Sequence, residues 1–306
     1  MSFRSDARDL QVLRSVAEYR ALTAHHLTVL HQRDSNALRR RLRELDQHGL
    51  VRVETRLSPG RRGRPEGLVS LTEDGVAALR SEGGLSQEIP SSQVTAEGLR
   101  CIDHLLLVND FRVQLVQMQR VVPAVGVSYL SPTSPFIERT ADGQSAVHER
   151  IPEENGNWVE YTPDGVFALT HDQVPQALLF FLEVDMGTEA LNSAKRPRQD
   201  LEQKVLNYQA TYRLQRYERL QQVLGHEFRG FRLLFLASDL GRAGALCRLV
   251  REMPPSSFIY VTDRGSLESK GVWADIWVQG GRLDVPRQSI LGSKMPNPSP
   301  APSDLA

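Results

Sequence analysis

Residues 161–169 read YTPDGVFAL, residues 180–189 read FFLEVDMGTE, and residues 204–208 read KVLNY. These three pieces decide the fold of the larger part of the chain. Val166 to Leu169 continue past Asp164 as a strand, and Leu178 to Val184 is an apolar run of strand length bordered by Glu183 and Asp185. Side chains alternate across a strand, so Glu183 and Asp185 share one face, opposite Val184. Carboxylates from two neighbouring strands are oxygen donors of the kind a hard divalent cation takes. The third piece belongs to a stretch, Arg198 to Gln222, that reads as one long helix with Leu201, Val205 and Leu206 apolar. Lys204 and Tyr208 are four apart and stack on one face of it.

Working outward, 306 residues exceed what one modest core organises, so two domains are expected. The hydrophobic fraction is 40%, no apolar run reaches membrane-spanning length, and the first ten residues lack the apolar core of a signal peptide. A cytoplasmic protein with no membrane partner is the expectation. Cys101 and Cys247 lack metal-ligand spacing and are expected to be buried thiols. No phosphate-binding GxxxxGK[ST], no HExxH and no paired CxxC occurs, so nucleotide hydrolysis and zinc chemistry find no support.

Net charge is zero, but its distribution is uneven. Between residues 33 and 64 stand ten arginines (33, 39, 40, 41, 43, 52, 56, 61, 62 and 64) against four acids, Asp34, Glu44, Asp46 and Glu54. The surrounding pattern says where they sit. Asp6 to Glu18 carries Leu10, Leu13, Val16 and Ala17 at helical spacing. Thr23 caps a second short helix to Leu30, and Ser35 caps a third to Gln47. Leu38, Leu42 and Leu45 form the buried face of that third helix, leaving Arg39, Arg40, Arg41 and Arg43 on the other. Gly49 stops it. Leu50 to Leu57 and Leu68 to Leu71 are partner strands around a turn at residues 58–60, and Thr72 opens a further helix to Arg80.

Residues 81–97 read as a linker or loosely packed connection, and Gly98 to Val122 as a strong helix. His104 within it is expected to be a packing histidine. Val125 to Leu130 is a strand, Phe136 to Arg139 an irregular extension, and Ala141 to Asn157 a polar surface excursion. Beyond the long helix, Phe231 to Ala237 and Phe258 to Thr262 are strands separated by a helix, Gly244 to Glu252. Trp273 and residues 276–278 close the domain. Arg242, in SDLGR, reads as a surface charge at a helix start, with phosphate contact as the alternative. Pro296 to Ala306 reads as a disordered tail.

The P-D-G strand followed by an acid-x-acid strand resembles the PD-(D/E)xK nuclease-like superfamily. FLEVDMGTE followed by KxxxY is similar to the replication-relaxation family of bacterial plasmids and mobile elements, over roughly Asp6 to Val278. ALRRRLRELDQHGLVR, with TEDG after the hairpin, resembles winged-helix regulators. The resemblance implies an α/β (α+β overall) chain: a winged helix-turn-helix at residues 1–82, a linker at 83–97, a restriction-endonuclease-like mixed sheet flanked by helices at 98–292, and a tail at 293–306. It implies a recognition helix, Ser35 to Gln47, that enters the major groove, and a wing bearing Arg61, Arg62 and Arg64 that reaches phosphates or the minor groove.

In active members of the superfamily the P-D aspartate and the strand glutamate bind Mg²⁺, and a lysine two residues later positions the attacking water. Here that position is Asp185. Two readings stay open. In one, Asp164, Glu183 and Asp185 hold Mg²⁺ (or Mn²⁺), Lys204 replaces the missing strand lysine, Tyr208 orients it, and the protein cleaves or nicks double-stranded DNA during plasmid replication or mobilisation. In the other, Lys204 pairs with Asp185 or Glu183 in a retired site, and the chain is a regulator that docks DNA or replication and mobilisation proteins. A homodimer is compatible with both.

Overall fold

The computed structural model describes residues 6–56, 66–99, 101–137, 139, 143–152, 156–187 and 201–292. The expected turn at 58–60, the wing arginines Arg61, Arg62 and Arg64, and the tail lie outside them. The chain divides into two compact units, residues 1–113 with 133–138 and residues 114–132 with 139–306. Among the described residues no helix is long and apolar enough to cross a membrane.

The first unit runs α1 (Ala7–Tyr19), β1 (Ala21–Thr23), α2 (Ala24–His31), α3 (Ser35–Gln47), β2 (Val51–Arg56), β3 (Glu66–Leu71) and α4 (Glu73–Ser81), and the division between units falls within α5 (Ile102–Val121). Local chemistry sets the helix starts. Asp6 and Asp9 form a reciprocal capping box on α1, and Thr23 and His26 form another on α2. Asp34, not the expected Ser35, caps α3 by accepting from the Ala37 N–H at 2.8 Å. Each such cap satisfies an N–H that the helix leaves orphaned, a contribution of about 1 kcal/mol. Strands β2 and β3 pair antiparallel, and β1 adds to the other side of β3.

Leu13 and Val16 of α1, Leu27 of α2, Leu38, Leu42 and Leu45 of α3, Val69 of β3 and Val76 of α4 build one core. Gly75 is required by close approach, since a Cβ there would lie 1.9 Å from the Leu50 carbonyl oxygen. The stretch read as a linker is packed. Leu85 and Val94 join that core, Arg80 donates to the Ile89 carbonyl, and Arg20 to those of Ser92 and Thr95. Cys101 is exposed rather than buried, because it stands just ahead of α5; Cys247 is buried as expected.

The second unit contains β4 (Val125–Leu130), β5 (Glu149–Pro152), β6 (Trp158–Tyr161), β7 (Gly165–His171), β8 (Val174–Asp185), α6 (Leu201–Arg213), α7 (Arg219–Leu224), β9 (Phe231–Ala237), α8 (Leu240–Glu252), β10 (Ile259–Asp263), α9 (Arg264–Lys270) and β11 (Val278–Gln279). Six strands form a mixed sheet in the order β11-β10-β9-β8-β7-β4. β8, β9 and β10 are parallel, while β4, β7 and β11 pair antiparallel with their neighbours. The chain is thus a mixed α/β protein whose central strands read as unbroken apolar runs because both faces are covered.

Two expectations for this unit need correction. The helix expected from Arg198 to Gln222 is broken: α6 ends at Arg213, Gln215 takes a left-handed conformation (φ 52°), and a 3-10 turn at Arg216–Glu218 leads into α7. The break turns Tyr217 inward against Phe231, ring centroids 5.7 Å apart, and sends Arg219 onto β5. Helical periodicity cannot register a tertiary contact of that kind. The excursion expected at 141–157 carries β5, which pairs with β6 as a separate two-stranded sheet. Arg219 clamps it by donating to the Ala146 and His148 carbonyls and to the buried Glu149 carboxylate.

Candidate functional site

The centre of the second unit is built at the carboxyl end of β8. Asp164 sits just before β7 and is fixed across the hairpin, its N–H donating to the Leu182 carbonyl at 3.0 Å and its Oδ2 accepting from the Val184 N–H at 2.7 Å. It therefore brackets Glu183 by the residues on either side of it. Gly165 follows because the Tyr129 hydroxyl of β4 lies where a Cβ would be, 1.8 Å from the ideal position. The P-D-G triplet thus has a local cause: a carboxylate that spans a hairpin, then a residue with no side chain under Tyr129.

On β8, Phe181, Glu183 and Asp185 share a face. α6 lies over that face, with the Tyr208 ring edge-on to Phe181 at 5.4 Å. The 3.6-residue period then brings Lys204 and Tyr208 to Glu183 together. Lys204 Nζ donates to Glu183 Oε2 at 3.1 Å, and the Tyr208 hydroxyl donates to Oε1 at 2.6 Å. Tyr161 packs edge-on against Tyr208 at 5.1 Å and bonds Thr211 at 2.5 Å through its hydroxyl. Burial pushes the Glu183 carboxyl above the ordinary carboxylate range, and the charge of Asp164 pushes the same way; Lys204 and the Tyr208 hydrogen bond oppose them. Burial also lifts the Tyr208 phenol well above its usual value, so it stays a donor.

Asp164, Glu183, Lys204 and Tyr208 are thereby brought together. Asp185 is not part of that group. Its Oδ2 accepts from Arg242 Nε at 2.5 Å, and its Oδ1 accepts from Arg242 Nη2 at 3.3 Å and from the Gly187 N–H at 3.0 Å. Arg242 was read from sequence as a surface charge, yet its side chain is 15% exposed and that of Asp185 2%. The one signal for it was the placement of SDLGR directly after a strand.

The donor set bears on a metal. Among the described residues no group of three or more His, Cys, Asp or Glu side chains is arranged to hold an ion. Mg²⁺, however, keeps several waters and takes one or two carboxylates with substrate phosphates. Asp164, just before β7, and Glu183 on β8 are oxygen donors of the type such an ion takes, and the charge of Asp164 acts on Glu183. Asp185 is turned to Arg242 and the Gly187 N–H and lies outside that pair.

In the first unit α3 divides its arginines. Arg39, Arg40 and Arg43 are exposed, whereas Arg41 turns back to α1. Its Nε donates to Asp9 Oδ1 at 2.7 Å, its Nη2 pairs with Asp9 Oδ2, and its Nη1 donates to Glu44 at 2.6 Å. These carboxylates hold the guanidinium pKa above its ordinary value. The Asp9 side chain is only 1% exposed, so Arg41→Ala strands a buried charge. We expect that substitution to lower stability by about 3 kcal/mol, read from urea midpoints.

No curated protein and no solved structure matches the chain. The family model described as replication-relaxation matches residues 13–224, from α1 through α7, and supports a replication-related function. That span holds both the arginine-bearing helix and the Asp164–Glu183–Lys204–Tyr208 centre, and the chain belongs to the replication-relaxation family.

Proposed function

We propose that this is a DNA-binding replication protein whose second unit cleaves or nicks duplex DNA in a Mg²⁺-dependent reaction. The observation that carries the reading is the convergence of Lys204 on Glu183 beside Asp164. The lysine that the strand lacks at position 185 is supplied from α6, one helix turn from the tyrosine that holds the other oxygen of Glu183.

Asp164 and Glu183 would hold the ion, which would lower the pKa of a bound water and polarise the phosphoryl oxygens. Lys204 places a positive charge where the phosphate gains negative charge in the transition state. Tyr208 holds Oε1 of the Glu183 carboxylate through its hydroxyl. In the first unit the order α1–α2–α3 followed by the β2–β3 hairpin supports a winged helix-turn-helix, with α3 as its recognition helix. Arg39, Arg40 and Arg43 meet phosphates or guanine edges, and Arg41 braces the helix that carries them.

The test is incubation of the purified chain with supercoiled plasmid and Mg²⁺ or Mn²⁺, beside Glu183→Ala. Nicked or linear product from the wild type, absent in the variant, is the expected result. A salt-sensitive gel shift without product from either protein would instead favour the second reading, a regulator that uses the same domain for docking. Two observations stand on that reading's side: the Lys204–Glu183 ion pair is the pairing it expects, and the Asp185–Arg242 pair fills the position of the missing strand lysine.

A further inference from the structure

Arg242 is a charged group at the end of β8 that the proposed reaction leaves unused. The parallel register aligns Asp185 with Ala237, and the Ser238 N–H donates to the Asp185 carbonyl at 2.8 Å. The first turn of α8 therefore begins at the end of the strand that carries Glu183. Asp239 caps that turn through the Arg242 N–H at 2.9 Å, which fixes the arginine backbone before its side chain reaches Asp185. Beyond the strand, Gly187 passes alongside at φ 76°; a Cβ there would lie 4.0 Å from Arg242 Cδ. Glu183 and Asp185 point to the same face, so Lys204 and Arg242 bring two cations to consecutive acids of one strand.

We propose that Arg242 is a second phosphate-binding residue of this site, contacting a DNA backbone phosphate next to the one that Lys204 serves. The inference rests on the nuclease reading of the site. Three carboxylates at one strand end repel a polyanion. Lys204 offsets one of them and Arg242 another, and only with both does the site tolerate two neighbouring phosphates. The two-point contact with Asp185 fixes the plane of the guanidinium and places its positive charge at the strand end. Stability alone does not call for the pair, because an apolar pair of similar size in its place is often neutral or better. The arginine is the more exposed partner, at the end of the sheet where α/β proteins place their ligands.

The experiment measures duplex binding by the full chain across a KCl series in EDTA, together with plasmid cleavage and thermal melting. Arg242→Gln removes the charge and keeps a donor for Asp185; Asp185→Asn keeps the charge. For Arg242→Gln the slope of log K against log [KCl] is expected to fall in magnitude by about 0.9, the loss of one phosphate contact, and for Asp185→Asn to stay as in the wild type. Arg242→Lys should restore the slope. Equal slopes for wild type and Arg242→Gln, with both proteins folded, would overturn the proposal and leave the nuclease reading intact. A slope reduced in Arg242→Gln with no cleavage by the wild type would keep Arg242 as a phosphate contact and remove the nuclease reading. Reduced melting temperatures in both Arg242→Gln and Asp185→Asn with unchanged slopes would make the pair purely structural and overturn it as well.

Discussion

Under the proposed nuclease function, Lys204→Met is expected to lower Mg²⁺-dependent plasmid cleavage by roughly 10²–10³-fold, because the charge it removes acts on the transition state. The geometry carries a second expectation. Lys204 is the leading influence that pulls the Glu183 carboxyl down against its burial, so its removal lets that carboxyl rise further. Glu183 must be ionised to hold a cation, and the acid limb of the pH–rate profile should therefore move to higher pH in the variant. Stability follows the same sign. A carboxyl raised above its ordinary value of 4.5 contributes fully below that pH and loses its contribution as pH rises through the raised value. The melting-temperature gap between wild type and Lys204→Met should accordingly widen as pH rises through the raised value of the wild-type carboxyl. Full cleavage by the variant would assign Lys204 to structure alone.

Under the proposed DNA contact, the second large effect belongs to α3. Arg39→Ala/Arg40→Ala/Arg43→Ala removes three exposed cations from one helix and introduces the best helix former at each position, so the fold of the first unit is preserved. Each phosphate contact contributes about 0.9 to the slope of log K against log [salt], and the triple variant should lose about 2.7 of it in duplex binding. The wild type would bind far more tightly at low salt, and the difference would shrink as salt rises. Arg41→Ala is the contrasting control, with stability lost and the slope kept. An unchanged slope in the triple variant would move the DNA contact away from α3, and the resemblance to winged-helix regulators would no longer describe its use.

Much of this molecule was legible in one dimension. The apolar runs at 178–184, 231–237 and 258–262 became β8, β9 and β10, because strands buried on both faces need little else to declare them. Period 2 placed Glu183 and Asp185 on one face, and period 3.6 placed Lys204 above Tyr208. The same periods separated the buried leucines of α3 from its arginines. Spacing of this kind is local, set by backbone geometry within a few residues, and a sequence states it directly.

What the sequence left open was the matching of charges over long separations. It offered Lys204 either Asp185 or Glu183, grouped Arg41 with the outward arginines, and gave Arg242 to the surface. The tertiary structure assigned Lys204 to Glu183, Arg41 to Asp9 and Arg242 to Asp185. The physical reason is the sheet order. Parallel pairing of β8 with β9 brings the first turn of α8 to Asp185, with Arg242 57 residues away in the chain, and gives that carboxylate to Arg242. The break after Arg213 has a similar origin, since helix propensity continues through it and the pull of Phe231 on Tyr217 ends it. Local periodicity determined which side chains share a face; the pairing of strands decided which faces, and hence which charges, meet.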